Sequence, residues 1–213
     1  VLSFAGPRRP LEVAQALDMV VRERARSAIL VEGWSDQAAV QTWARTCAVD
    51  LADHAIVVLP VGGITNMGKF VAALGAPGLG VRMSGLYDAS EEQLTLRCLA
   101  RAGLGANLTR AGAESSGFFG CVDDLEDELI RALGAAAVES LLEAQDELRS
   151  FRLFQRQPMQ QGRDTHSQLK RFMGTRAGRK IRYGSLLVAA LAPERVPLPL
   201  KRVLAHAAAR SAS

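Results

Sequence analysis

At 213 residues, with 48% apolar and 23% charged side chains, the chain holds enough material for one full domain plus an appended subdomain, and its composition excludes a disordered tail or a membrane protein. No apolar run reaches the ~18 residues that span a bilayer, and residues 1–10 lack the charged and apolar regions of a secretory signal, so a cytoplasmic location with no membrane partner is expected. Three cysteines, Cys47, Cys98 and Cys121, are odd in number and form no CxxC pair, which argues against a disulfide framework or a thiolate zinc site and makes them small buried hydrophobes. The formal net charge of +4 hides a segregation. Residues 84–148 carry 13 acids against four arginines, whereas residues 149–182 carry ten basic side chains against Asp164 alone. A cation-binding part followed by a polyanion-binding part is the expected consequence.

Helical spacing of Val13, Leu17, Val20 and Val21 predicts a leading amphipathic helix over 11–26. The period then changes to a short apolar run, SAILV at 27–31, a turn at Glu32 and Gly33, and a helix over 35–48. The unit repeats with a strand at 54–61, begun by His54, and a helix at 66–74. It repeats again with a strand at 80–87 and a helix at 90–102, and once more with a strand at 117–122 and a helix at 125–133. Strands alternating with helices at this spacing imply a parallel sheet covered on both faces. Beyond Val138 the segments 138–154, 165–174, 181–191 and 198–209 suit helices, which are expected to form a cap, with Pro193, Pro197 and Pro199 punctuating the last two and a frayed Ala/Ser tail after them. The expected division is an N-terminal helix over 1–26, an α/β domain over 27–137 and a helical region with the basic segment over 138–213.

In an open parallel sheet, ligands bind at the carboxyl ends of the strands, and here three of those ends carry acids. The first leads into EGWSD (Glu32, Asp36), the third into YDASEE (Asp88, Ser90, Glu91, Glu92) and the fourth into VDDLED (Asp123, Asp124, Glu126, Asp127). Carboxylates brought together repel unless a cation sits among them. All-oxygen donors suit Mg²⁺ or Mn²⁺ rather than zinc, and the natural reaction of such ions is transfer of a phosphoryl group. The competing explanation is that each acid caps the helix that follows, where negative charge gains ~0.3–1 kcal/mol. Capping explains any one of them better than three strand ends at once.

The order EGxxD, GG after the second strand, an apolar run ending in DAS, then DLED resembles the TOPRIM domain of the OLD-family (overcoming lysogenization defect) endonucleases, over about 27–133. The resemblance implies a Rossmann-like fold, divalent-metal ligands at Glu32, Asp36, Asp88 and Glu126 with Asp124 nearby, and Mg or Mn as cofactor. A lysine late in the helical region of that family lies close to the scissile phosphate; Lys180 in GRKIRY matches it best. Two departures matter. The TOPRIM pattern is DxD, and this chain has Asp88, Ala89, Ser90, so Ser90 is a weak neutral ligand whose place Glu91 could take. OLD-family nucleases also carry an ATPase upstream, and no complete ATPase is present in these 213 residues, which leaves an ATPase acting in trans as an expected partner.

Gly63 to Lys69 (GITNMGK) satisfies the spacing of a phosphate-cradling loop, but Phe70 stands where Ser or Thr should hold Mg²⁺. A tight turn with Thr65 or Asn66 capping the helix is the better account. Lys170, Arg171, Arg176, Arg179, Lys180 and Arg182 fall within thirteen positions, with Gly174 and Gly178 between them, a density that fits a nucleic-acid backbone; pairing with the acidic stretch inside the protein is the alternative. Tyr183 is assigned to packing or a phosphate hydrogen bond, His166 to a phosphate contact, and Trp34 and Trp43 to packing. The expected activity is metal-dependent phosphodiester hydrolysis on DNA, with Glu32, Asp88 and Lys180 catalytic. An RNA-processing nuclease and a non-catalytic scaffold that binds nucleic acid or an ATPase are the alternatives.

Overall fold

Side chains along a strand alternate between the two faces of its sheet, and in this chain both faces are apolar, so helices must cover both. The computed structural model describes residues 9–209; the expectations for residues 1–8 and for the tail at 210–213 lie outside the described residues. Four parallel strands, β1 (Ser27–Val31), β2 (Ile56–Pro60), β3 (Arg82–Asp88) and β4 (Phe118–Cys121), stand in the order β2-β1-β3-β4. Between and around them run α1 (Val13–Arg22), α2 (Trp34–Thr46), α3 (Ile64–Leu74), α4 (Glu92–Leu99), α5 (Arg110–Ser115) and α6 (Leu125–Leu133). The C-terminal part adds α7 (Ala135–Ala144), α8 (Leu148–Gln155), α9 (Thr165–Gly174), α10 (Ala177–Ala189) and α11 (Leu198–Ala208).

The alternation can be followed residue by residue. Ala28, Leu30, Val57, Leu59 and Phe118 pack into a core with α1, α3 and the α4 region. Ile29, Val31, Val58, Leu86 and Phe119 face the opposite side, where α2 and α6 through α11 close a second, larger core. Full burial of a Leu or Val side chain is worth about 1.5–3 kcal/mol, and this second core joins the sheet directly to helices from the C-terminal part. The helices beyond Val138 are therefore more than a cap. They fill one face of the sheet, with α11 lying against β1, β3 and β4, and with His206 of α11 meeting the buried Ser84 hydroxyl of β3 at 2.9 Å.

Several boundaries differ from expectation for local reasons. The helix expected over 90–102 begins as a 3-10 turn at Ala89–Glu91 and ends in a π turn where Gly103 adopts φ 99°. α5 has no counterpart in the sequence reading; its start is marked by Thr109, whose side chain accepts the Gly112 N–H. The expected helix over 138–154 divides because Asp146 takes φ 56°, turning the chain between α7 and α8. His54 precedes β2 rather than beginning it, its ring bonded to the Asp50 carbonyl. Cys121 is buried as expected, but Cys98 is half-buried and Cys47 exposed, so the expectation of three buried thiols is corrected for those two.

One close approach fixes the C-terminal helices against the sheet domain. α10 packs along α2, and Gly184 lies so near the start of α2 that an added Cβ would stand 2.5 Å from the Ser35 carbonyl oxygen. Helix propensity alone says that Gly184→Ala stabilises α10 by about 1 kcal/mol. The contact says the reverse, because backbone cannot yield as a flexible side chain can. Gly184→Ala is expected to cost about 1–3 kcal/mol, read as a lowered urea midpoint with unchanged slope.

Candidate metal and phosphate site

β1 and β3 are neighbours, yet the chain leaves β1 toward β2 on one side and β3 toward β4 on the other. This reversal opens a crevice at the carboxyl ends of the two central strands, where ligands bind in sheets of this kind. The residues after the strands meet there. A cleft of about 540 Å³ is lined by Glu32, Gly33 and Asp36 after β1, Gly62 after β2, Asp88 at the end of β3, Asp124 and Glu126 after β4, and Gly174, Lys180 and Ile181 from α9 and α10. Trp34 and Ser35 complete the wall.

Local structure explains why each acid stands where it does. Asp36 is the third residue of α2, and its Oδ2 accepts the Gly33 N–H at 2.9 Å, closing the turn between β1 and α2. Asp124 caps α6 by accepting the Asp127 N–H at 2.8 Å, while its other oxygen meets Lys170 at 2.8 Å. Glu126 stands in the first turn of α6, with Oε2 3.2 Å from Lys180 Nζ. The Ala89 N–H reaches the Asp123 carbonyl at 3.3 Å, so the turns after β3 and β4 are tied together. Helix capping and a shared cleft thus coexist for Asp36 and Asp124.

The electrostatics show that these carboxyls crowd one another. Burial pushes Asp36 up to about 6; the Gly33 amide and Lys180 oppose the rise, while Glu32 and Asp124 add to it. Burial pushes Asp88 further, to about 8, and Glu32, Asp124, Asp36 and Glu91 all reinforce it. Glu126 is raised by burial despite Lys180 beside it. Burial disfavours the Lys180 ammonium, but Glu126, Asp36 and Asp124 outweigh that effect and hold it above its usual value. Glu126 Oε1 is buried with no hydrogen-bond partner among the described residues.

Hard oxygen donors, mutual repulsion and an orphaned carboxylate oxygen fit a divalent cation. Among the described residues, no three His, Cys, Asp or Glu side chains already close on one point as a metal cage. A divalent cation in the cleft would therefore keep part of its water shell, as Mg²⁺ does when one or two carboxylates hold it. Ser90 is exposed on the 3-10 turn after β3. Glu91, on the same turn, is raised by burial and by Glu32.

The basic segment is only partly available to a polyanion. Arg179 is buried: its Nε lies 3.1 Å from Glu147 Oε1, its NH1 donates to the Phe172 carbonyl, and its guanidinium sits 3.9 Å over the Phe172 ring. It cannot reach a phosphate, which corrects its assignment as a nucleic-acid contact. Tyr183 donates its hydroxyl to Glu147 at 2.9 Å, and Arg182 pairs with the same carboxylate at 2.8 Å. Burial pushes Glu147 up, but these partners prevail and hold it below the usual range. Lys170 is engaged with Asp124, and His166 meets Asp127 at 2.6 Å, so the expected phosphate contact of His166 is replaced by a carboxylate. Arg171 and Arg176 are exposed, the latter immediately before α10.

The phosphate-loop lookalike is a plain turn. Gly62 takes φ 76° and Gly63 φ 106°, α3 begins at Ile64 with Gly63 as its cap, and Lys69 donates to Asn66. Neither Thr65 nor Asn66 caps the helix; Asn66 instead donates to the Val61 carbonyl at 3.1 Å. Glu147 and Gly184 had no signal in the sequence reading, since a lone Glu after Asp and a glycine inside a helical pattern acquire meaning only through partners distant along the chain.

Comparison with known proteins bears on the family and the fold. Residues 25–89 match the family model described as Overcoming lysogenization defect protein-like, TOPRIM domain. No curated protein sequence matches the chain. The fold is similar to the C-terminal region of the Xanthomonas campestris pv. campestris OLD protein, with a TM-score of 0.66 at 24% identity over 86% of this chain and 95% of that one. It is also similar to the C-terminal region of the Burkholderia pseudomallei OLD protein, with a TM-score of 0.67 at 19% identity over 86% and 97% of the two chains. Residues 25–89 thus resemble an OLD-like TOPRIM domain, and the chain shares its fold with the C-terminal regions of OLD proteins.

Proposed function

We propose that the chain hydrolyses phosphodiester bonds of nucleic acid, DNA first among them, in a reaction that depends on Mg²⁺ or Mn²⁺. The observation that carries this reading is the convergence of Glu32, Asp36, Asp88, Asp124 and Glu126 with Lys180 in one cleft at the switch point of the sheet. Asp36, Asp88, Asp124 and Glu126 would hold the cation, with Glu91 able to supply the charge that Ser90 lacks. When bound, the cation supplies polarisation of the phosphate and an acidified water. Glu32, exposed at the mouth, would accept a proton from the attacking water. Lys180 would offset negative charge developing on the phosphate, and Arg171 and Arg176 would hold the backbone of the nucleic acid on either side of it. An ATPase acting in trans, which the resemblance to the OLD family implies, remains part of this proposal as a partner of the chain.

A non-catalytic scaffold is the second reading, favoured by the neutral Ser90 and by the absence of a closed acid cage among the described residues. Incubating supercoiled plasmid and structured RNA with the protein in Mg²⁺, Mn²⁺ or EDTA separates the readings. Metal-dependent nicking that disappears in both Glu32→Gln and Asp88→Asn is the expected outcome for an enzyme. Cleavage unchanged in both variants would remove the proposed centre, and cleavage of RNA alone would reassign the substrate.

Removing Arg171 and Arg176 together should weaken DNA affinity about equally across sequences and flatten its logarithmic dependence on salt by one to two counter-ions, roughly one per lost phosphate contact. An unaltered slope would place the nucleic acid elsewhere.

The raised carboxyls also make stability depend on pH in a definite direction. Asp36 and Asp88 keep protons in the folded, chelated protein up to about 6 and about 8, whereas the unfolded chain releases them near 3.8. The folded state then binds more protons than the unfolded one, so stability falls as pH rises through that window. The melting temperature in EDTA is expected to drop between about pH 5 and about pH 8, and added Mn²⁺ to restore more of it at the upper pH. A flat profile insensitive to Mn²⁺ would contradict this.

A further inference from the structure

Two carboxylates of the cleft already have ammonium counter-ions: Glu126 is paired with Lys180 at 3.2 Å and Asp124 with Lys170 at 2.8 Å. The two pairs differ in how completely the carboxylate is satisfied. Asp124 uses its second oxygen to cap α6. Glu126 has its second oxygen buried without a hydrogen-bond partner among the described residues, although its side chain is only 11% exposed. A buried, half-satisfied carboxylate is costly. The Lys180 side chain is 45% exposed, so the ammonium has open solvent to move into, and its compact charge on a four-carbon stem can swing without breaking a fixed fork geometry.

We propose that Lys180 is an exchangeable counter-ion: its ammonium occupies Glu126 until a divalent cation enters the cleft, and the arriving cation drives it off Glu126 toward the cleft mouth. This rests on the reading of the cleft as a cation site. A single positive and a double positive charge compete for one cluster of carboxylates, and repulsion across a few ångströms in a half-buried cleft suffices to decide between them. Displacement frees the Lys180 ammonium at the cleft mouth to meet an anionic substrate, so cation binding readies the site, and by reciprocity a bound polyanion that holds Lys180 away strengthens cation binding. Lys170 differs, because Asp124 has no orphaned oxygen: Oδ1 accepts the Asp127 N–H and Oδ2 meets Lys170.

The test is Mn²⁺ affinity by calorimetry, together with the melting temperature in EDTA and in Mn²⁺. Lys180→Gln is expected to bind Mn²⁺ roughly tenfold more tightly than the wild type, to melt lower in EDTA, and to gain more from added Mn²⁺. Lys180→Arg keeps the charge but adds a fixed fork that holds Glu126 more firmly, and should bind Mn²⁺ no more tightly than the wild type, whereas Arg149→Gln, which removes an exposed charge outside the cleft, should stay near wild-type affinity. Equal or weaker Mn²⁺ binding by Lys180→Gln, with the wild type still binding, would overturn the exchange and leave the cation site intact. No binding heat and no melting shift in the wild type would overturn the cation site and the exchange with it. Reductive methylation of the wild type, read by peptide mass, gives a measure independent of any variant: Lys180 should react faster in Mg²⁺ than in EDTA, and an equal rate would count against displacement.

Discussion

Negative charge confined to a half-buried crevice must be compensated, and the surroundings of the cleft follow from that requirement. Asp36, Asp88, Asp124 and Glu126 stand together because the ends of β1, β3 and β4 meet there, and the sheet cannot bury its two apolar faces without bringing those ends together. Compensation comes from three sources: the raised proton affinity of Asp36 and Asp88, backbone amides at the starts of α2 and α6, and the ammonium groups of Lys170 and Lys180. Each is partial. The raised carboxyls measure the remainder, and a hard divalent cation is the species that would absorb it.

The placement of Lys180 depends on packing distant from the acids. α10 carries Arg179, Arg182 and Tyr183 toward Glu147 at the start of α8, and Lys180 with Gly184 toward α2 and α6. Residues three and four apart share a helix face, so the Glu147 contacts set the rotation of α10 about its axis while Gly184 sets its distance from α2. An ion pair as buried as Arg179–Glu147 contributes little net stability, because desolvation offsets attraction. Its value here is orientation.

Much of this could be read from the chain in advance, and the physical reason differs by element. The four strands are legible because SAILV, HAIVVLPV and their successors are unbroken apolar runs that only a doubly covered sheet can bury. The acid-tipped turns are legible because they follow those runs directly. The course of the C-terminal helices is not, since an amphipathic pattern states that a face is buried without stating against what. The basic segment illustrates the limit: a density of charge in sequence cannot distinguish Arg179, spent on Glu147 and Phe172, from Arg171 and Arg176, which face water. The same limit hides α5, whose six residues are too few to show a period.

The shared core between sheet and C-terminal helices constrains how such a protein can be recombined. Ile29 and Val31 of β1 belong to the same apolar cluster as Leu187, Val203 and Leu204 of α10 and α11. A shuffled chain that kept the acid-bearing turns but exchanged the segment beyond Val138 would strip one face of its sheet and lose its lysine in the same event. The acidic half and the basic half thus fold as a single module, however separable their charges make them look.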